Sequence, residues 1–233
     1  MKTVILCGGK GTRLAEETSI RPKPMVKIGN KPILWHIMKI FQHHGFNEFI
    51  LAAGYKKNII KKYFSTNNEF ARVDVVDTGS ETMTGGRILK LKSLLKNEES
   101  FFMTYGDGVT DINLNKLLRF HKNHKKFATV TAVHPPVRFG EMELKSNFVT
   151  KFAEKAQVKS SWISGGFFIL NKEVLNYIKN DKTIFEKEPM EKLTKDGQLM
   201  AYKHEGFWQC MDTLRDKILL NKLWKEKKVL WLK

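Results

Sequence analysis

The chain is poor in the features that mark several common protein classes. Its two cysteines, Cys7 and Cys210, lie far apart and in no metal-type spacing. That excludes a disulfide framework or a Cys-rich zinc module and points to a reducing cytoplasm. No apolar run reaches the ~18–20 residues that span a bilayer. Val4-Ile5-Leu6-Cys7, with only Lys2 as a preceding charge, is too short for the apolar core of a secretory signal. Internal repeats, low-complexity tracts and linkers are missing, so residues 1–233 are expected to form a single domain with two functional halves, 1–125 and 126–233. Acidic residues are scarce as well: 24 Asp and Glu face 41 Lys and Arg, a formal net charge of +17. Such a field attracts polyanions. The lysines, however, are scattered along the chain without a long block or arginine–aromatic interleaving, so neither nucleic acid nor a membrane is expected as a partner.

What is present is an α/β rhythm. Lys2–Cys7 reads as a short buried strand ending in Gly8-Gly9. Ile33, Ile37, Ile40 and Phe41 set a helical period over Lys31–His44, which Gly45 stops. Glu48–Ala53 is a second strand, Lys56–Phe64 a helix and Val73–Val76 a third strand. Arg87–Leu95 reads as a helix, and Phe101–Tyr105 as a strand ending in "GDG". This alternation predicts a Rossmann-like, mostly parallel sheet flanked by helices. Beyond residue 125, strands at 127–134, 141–144, 149–152 and 162–170 dominate, with helices near 172–178, 186–195 and 213–225, so the sheet is expected to be mixed.

In such a sheet, ligands sit beyond the carboxyl ends of strands. "GGKGTRL", Gly8–Leu14, occupies that place after the first strand. Its glycines let amide N–H groups approach an anion. It is not a phosphate loop of the G-x-x-x-x-G-K-[ST] type, and it lacks the last glycine of G-x-G-x-x-G. Instead it carries the Thr12 hydroxyl and the fork of donors of Arg13, a set that suits the terminal phosphates of a triphosphate. "RPKPM" follows, with Lys23 between Pro22 and Pro24 on a backbone expected to be stiff and extended. An ammonium near a phosphoryl oxygen is worth roughly 4 kcal/mol at ~4 Å and an effective dielectric of ~20. Asp107 in "TYGDGVTD" and Asp212 in "FWQCMDTLRDK" both fall at strand ends, where each alone reads as a turn or cap and the two together as a Mg²⁺ site completed by phosphates. Asp111 reads as a helix cap, and His36, His43, His44, His121 and His124 as core or surface residues. Phe207 and Trp208 are open to either a core or a sugar-platform role.

G-G-x-G-T-R-L followed by P-K-P-[ML] resembles the sugar-1-phosphate nucleotidylyltransferases. "KPMVKIGNKPILWHIMKIF", "VVDTGSETMTGGR", "TYGDGV", "RFGEMEL", "SGGFFILN" and "GFWQCMDTLRDK" look like the glucose-1-phosphate cytidylyltransferases in particular, over nearly the whole chain. The resemblance implies the nucleotide-diphospho-sugar transferase fold and formation of CDP-glucose and pyrophosphate from CTP and α-D-glucose 1-phosphate. UTP, dTTP or GTP and a heptose or another hexose are the alternatives, beside a non-catalytic binding module. It further implies that Leu6, Cys7, Gly8, Gly9, Lys10, Gly11, Thr12, Arg13 and Lys23 meet the nucleotide, with Arg13 and Lys23 catalytic. Thr82 and Arg87 would lie against it, with Gly85 and Gly86 giving room for the base and Gly106 approaching the ribose. Gly140, Glu154, Lys155 and Gly165 would meet the sugar phosphate, Asp107 and Asp212 would hold Mg²⁺, and the enzyme would be a homo-oligomer. Two departures stand out: a short bridge between Phe64 and Val73 where such enzymes usually carry an insertion, and "EKA" at 154–156 in place of E-K-P.

Overall fold

The structure, a computed structural model, describes residues 1–135, 141–153 and 161–232. Seven strands form one sheet: β1 Thr3–Cys7, β2 Glu48–Ala53, β3 Arg72–Asp77, β4 Ser100–Tyr105, β5 Ala128–Val133, β6 Ile163–Asn171 and β7 Leu199–Lys203. Their order is β7-β5-β6-β4-β1-β2-β3. Only β6 runs antiparallel to its neighbours, β4 and β5. The expected mixed, mostly parallel sheet is therefore present.

The central strand β1 is buried along its whole length. Ile5 and Cys7 enter the core on one face, and Val4 and Leu6 the core on the other. A strand covered on both faces must be apolar at every position, which is why this segment reads as an unbroken run rather than an alternation. The chain adds β2 and β3 on one side of β1, then crosses to place β4 on the other side. The crevice between the carboxyl ends of β1 and β4 is thus the topological switch point, where this class of sheet binds ligands.

Several boundaries differ from expectation for local reasons. The first long helix spans Ile33–His43, because Lys31–Pro32 pairs with Lys27–Ile28 and Pro32 holds an extended backbone. The helix expected over 87–95 begins at Thr84, breaks after Lys90 and resumes at Lys92–Leu95. Residues Lys172–Tyr177 form a 3-10 segment. Asn113, not Asp111, caps the helix Leu114–His124, accepting from the Lys116 amide at 2.9 Å; Asp111 instead pairs with His204 at 3.0 Å.

His36 is fully buried on the helix Ile33–His43. Its Nε2 donates to the Ile28 carbonyl at 3.1 Å, and its Nδ1 accepts from the Trp231 indole at 3.2 Å, which fixes the neutral tautomer. Burial holds its pKa down at about 4. Between that value and the ~6.5 of an unfolded histidine, the unfolded chain binds the extra proton. Stability from this site is therefore complete above pH ~6.5 and is lost as pH falls toward 4, by up to ~3 kcal/mol. His121 and His124 are lowered in the same direction by burial. Urea midpoints measured from pH 7.5 to 4 should fall in the wild type and fall less steeply in His36→Gln; parallel curves would remove His36 from the acid response.

Candidate active site

The loop after β1 turns at Gly11, whose φ of 66° lies in the left-handed region. A Cβ at Gly11 would stand 3.0 Å from the Lys23 Cβ, so the glycine lets the two signature segments pack together. Lys23 does not sit in an extended segment as expected. Pro22 is extended, but Lys23 opens a 3-10 turn, Lys23–Met25, closed by bonds from Met25 and Val26 to the Pro22 and Lys23 carbonyls. The turn buries the lysine, leaving it 8% exposed, and aims its ammonium across the carboxyl end of the sheet.

There the ammonium meets both aspartates. Lys23 Nζ lies 2.7 Å from Asp107 Oδ2 and 2.5 Å from Asp212 Oδ1. Burial draws the lysine pKa down, but the two carboxylates outweigh it and the net direction is up, so Lys23 stays charged. Arg13 NH1 reaches the other oxygen of Asp212 at 2.6 Å, with the arginine side chain 73% exposed. The carboxylates come together because Gly108–Thr110 pairs antiparallel with Trp208–Cys210, with the Met211 amide on the Asp107 carbonyl at 2.8 Å. Asp212 is spared from capping the helix Leu214–Lys225. Thr213 caps it in a reciprocal box with Asp216, whose carboxylate also accepts from the Asp212 amide at 3.0 Å. A T-x-x-D spacing is readable in the sequence, so Asp216 is a positioning residue that this signal could have revealed.

Two cavities open on this cluster. One, of about 330 Å³, is lined by Leu6, Cys7, Gly8, Gly9, Gly11, Arg13, Lys23, Thr82, Arg87, Gly106 and Asp107 from the expected set, with Pro24, Met83, Thr84 and Tyr105 beside them. The second, of about 370 Å³, is walled by Arg13, Tyr105, Asp107, Gly165, Gly166, Glu186, Trp208 and Asp212 among others. Arg13, Tyr105 and Asp107 belong to both walls.

Other expected residues stand elsewhere or play another part. Lys10 pairs with Glu81 at 2.9 Å on the exposed rim, where solvent screens the contact, and neither Lys10 nor Thr12 lines the first cavity. Arg87 is buried and its guanidinium is held by the protein itself: it donates to the Gly8 carbonyl at 2.9 Å, the Gly79 carbonyl at 2.7 Å and the Thr78 hydroxyl at 2.6 Å. It therefore fixes the glycine loop while lining the cavity. Gly85 and Gly86 are helical and do not line the cavity; they let the 181–183 segment lie against the helix. A Cβ at Gly86 would be 2.5 Å from the Asp181 Cα. Gly86→Ala should thus destabilise by about 1–3 kcal/mol, overriding the ~1 kcal/mol gain in helix propensity. A thermal melt checks this, and an unchanged or raised melting temperature would refute it. Phe207 stacks on Trp231 in the core, whereas Trp208 lines the second cavity and donates its indole N–H to the Gly165 carbonyl at 2.7 Å. Gly140, Glu154 and Lys155 lie outside the described residues. Tyr105, Thr84 and Glu186 were not singled out by the motifs, and Glu186 carries no local sequence signal at all.

Neither cysteine is poised for covalent chemistry. Burial, followed by the nearby aspartates, pushes the Cys210 thiol up to about 11, and burial raises Cys7 further.

A glycine loop, an arginine and a lysine set on two carboxylates at the switch point of a mixed sheet define an enzyme class that handles nucleoside phosphates. Residues 2–221 match the Nucleotidyl transferase family, and the chain belongs to it. Among its relatives, it is 46% identical to a glucose-1-phosphate cytidylyltransferase of Salmonella typhimurium, covering 99% of this chain and 98% of that one. It is 42% identical to a probable glucose-1-phosphate cytidylyltransferase of Bacillus subtilis, covering 99% of each. Among solved structures, HddC from Yersinia pseudotuberculosis complexed with GMP-PN superposes with a TM-score of 0.78 at 25% identity, over 96% of this chain and 99% of that one. Among the described residues, no helix is long and apolar enough to cross a membrane.

Proposed function

We propose that this chain transfers the cytidylyl group of CTP to α-D-glucose 1-phosphate, giving CDP-glucose and pyrophosphate. The reading is carried by one observation: the two cavities share Arg13, Tyr105 and Asp107 as a common wall beside the Lys23 ammonium. The nucleotide belongs in the cavity of the glycine loop and the sugar phosphate in the other, so that their phosphates meet at the common wall. The near-full-length identity to two glucose-1-phosphate cytidylyltransferases supports the choice of substrates.

Asp107 and Asp212 fit a Mg²⁺ ion, because they already converge on a single cation, the Lys23 ammonium, and leave the remaining positions to phosphate and water. Held there, the ion would neutralise phosphate charge. Lys23 would hold the α-phosphate and steady the charge that builds on it, and the open fork of Arg13 would take the departing pyrophosphate. The sugar phosphate is already an anion near neutral pH, so no side chain needs to remove a proton. Attack is in line and without a covalent enzyme intermediate, in keeping with two thiols held protonated. What the protein supplies is the alignment of two polyanions and cancellation of their repulsion. The unpaired cysteines fit a cytoplasmic setting. The exposed apolar side chains of Phe148 and Phe152 on the hairpin 141–153 fit a homo-oligomer.

The test is product mass after incubation with Mg²⁺, glucose 1-phosphate and equimolar CTP, UTP, dTTP and GTP. CDP-glucose should dominate. Predominance of another nucleotide sugar, or no product, would overturn the assignment.

A further inference from the structure

Glu186 is a carboxylate set in the wall of a site built for anions. It lies in the segment that precedes the helix Glu188–Lys195 and lines the second cavity together with Arg13, Asp107 and Asp212. Among the described residues it makes no ion pair. Two hydroxyls hold it instead: Tyr105 OH donates to Oε1, and Thr84 Oγ1 donates to Oε2 at 2.5 Å. Both donors have their direction fixed. The Thr84 oxygen accepts from the Phe185 amide at 2.9 Å, which turns its own proton toward Glu186. The Tyr105 hydroxyl, facing a carboxylate oxygen, has its proton to offer there. The adjoining Phe185 is fully buried and anchors the segment.

The carboxylate is therefore oriented by its neighbours and charge-unbalanced. Each oxygen accepts one bond, and an ionised carboxylate has about four acceptor positions in all, so roughly two remain for a ligand. A bare carboxylate repels phosphate, so the part of the ligand facing Glu186 must be a neutral donor. In a sugar phosphate whose phosphate lies at the Arg13 guanidinium, that donor is a ring hydroxyl. We propose that Glu186 is a specificity-determining residue that accepts hydrogen bonds from hydroxyls of the sugar ring, and so selects which sugar 1-phosphate is used. This rests on the assignment of the second cavity to the sugar phosphate. The ribose hydroxyls of the nucleotide offer the same chemistry, but Glu186 is not part of the cavity formed by the glycine loop.

The experiment compares wild type, Glu186→Gln and Glu186→Asp with glucose 1-phosphate, with its 2-, 3-, 4- and 6-deoxy analogues, and with 2′-deoxy-CTP in place of CTP. For at least one deoxy sugar, wild-type kcat/KM should fall roughly 10–100-fold, as expected for a lost hydrogen bond to a charged group. Glu186→Gln should show a similar fall with glucose 1-phosphate but little further loss with that analogue, while KM for CTP stays within about twofold. Glu186→Asp keeps the charge but withdraws it by one methylene; it should give the same pattern in weaker form, and it decides the matter if the Gln variant does not fold. Losses that multiply equally for every deoxy sugar would overturn the proposal, as would non-additivity confined to 2′-deoxy-CTP or variants indistinguishable from wild type. A wild-type enzyme inactive with all these sugars would instead fail the reading on which the proposal rests.

Discussion

Lys23→Ala is expected to lower the kcat for CDP-glucose formation by about 10²–10³-fold with the fold retained, judged by an unchanged far-UV spectrum. The size follows from the charge it removes. A donor aimed at developing phosphoryl charge in a water-poor site supplies about 3–4 kcal/mol of transition-state stabilisation. Lys23 is buried and fixed between two carboxylates, so its ammonium needs little reorganisation before the reaction. The variant should also behave distinctively without Mg²⁺. Asp107 and Asp212 would then face one another without a cation between them, and like charges at that separation repel. The metal-free variant should therefore melt lower than wild type, and addition of Mg²⁺ should close much of the gap. Single-turnover rates and paired melts with and without the ion check both halves. Undiminished pyrophosphate release in the variant would take the lysine out of the chemistry.

Asp212→Asn should cost more than Asp107→Asn, although the two residues look equivalent as a pair of carboxylates. Asp107 contacts Lys23 alone within the cluster, whereas Asp212 holds Lys23 through one oxygen and Arg13 through the other. Removing its charge releases both cations at once and removes one carboxylate from the proposed Mg²⁺ site. The expected outcome is a fall in kcat/KM of about 10³-fold for Asp212→Asn against about 10²-fold for Asp107→Asn, each an order-of-magnitude figure for loss of charged contacts of this kind. Mg²⁺ titrations of activity should move to higher concentration in both. A Mg²⁺ response in Asp212→Asn equal to that of wild type would show that this carboxylate serves only to position Arg13.

The motifs expose the parts of this site whose chemistry is local. A turn after a buried strand needs glycine whatever surrounds it, and Gly11, with its left-handed backbone, stands where the loop pattern requires one. Arg13, Lys23, Asp107 and Asp212, which the fold brings into one cluster, are legible as candidates because phosphate and divalent-ion chemistry admits few side-chain types. Local reading fails where one residue serves two neighbours. Arg87 is expected to lie against the nucleotide and does line the first cavity, but that its guanidinium also binds the carbonyls of Gly8 and Gly79 is not readable locally: a buried guanidinium must satisfy its N–H groups where it lies. Gly85 and Gly86 look like room for a base and are instead room for the segment 181–183.

By itself the sequence determined the buried central strand, the alternation that makes the sheet mostly parallel, and the identity of the charged groups, since these follow from burial, periodicity and ligand chemistry. Only the tertiary structure decided that two aspartates far apart in the chain share one ammonium, that one of them also holds Arg13, and that Glu186 faces the same cavity. Those facts depend on the pairing of Gly108–Thr110 with Trp208–Cys210 outside the main sheet and on the turn that buries Lys23. Long-range pairing of that kind is set by the packing of the whole molecule and leaves no periodic trace in the residues that take part.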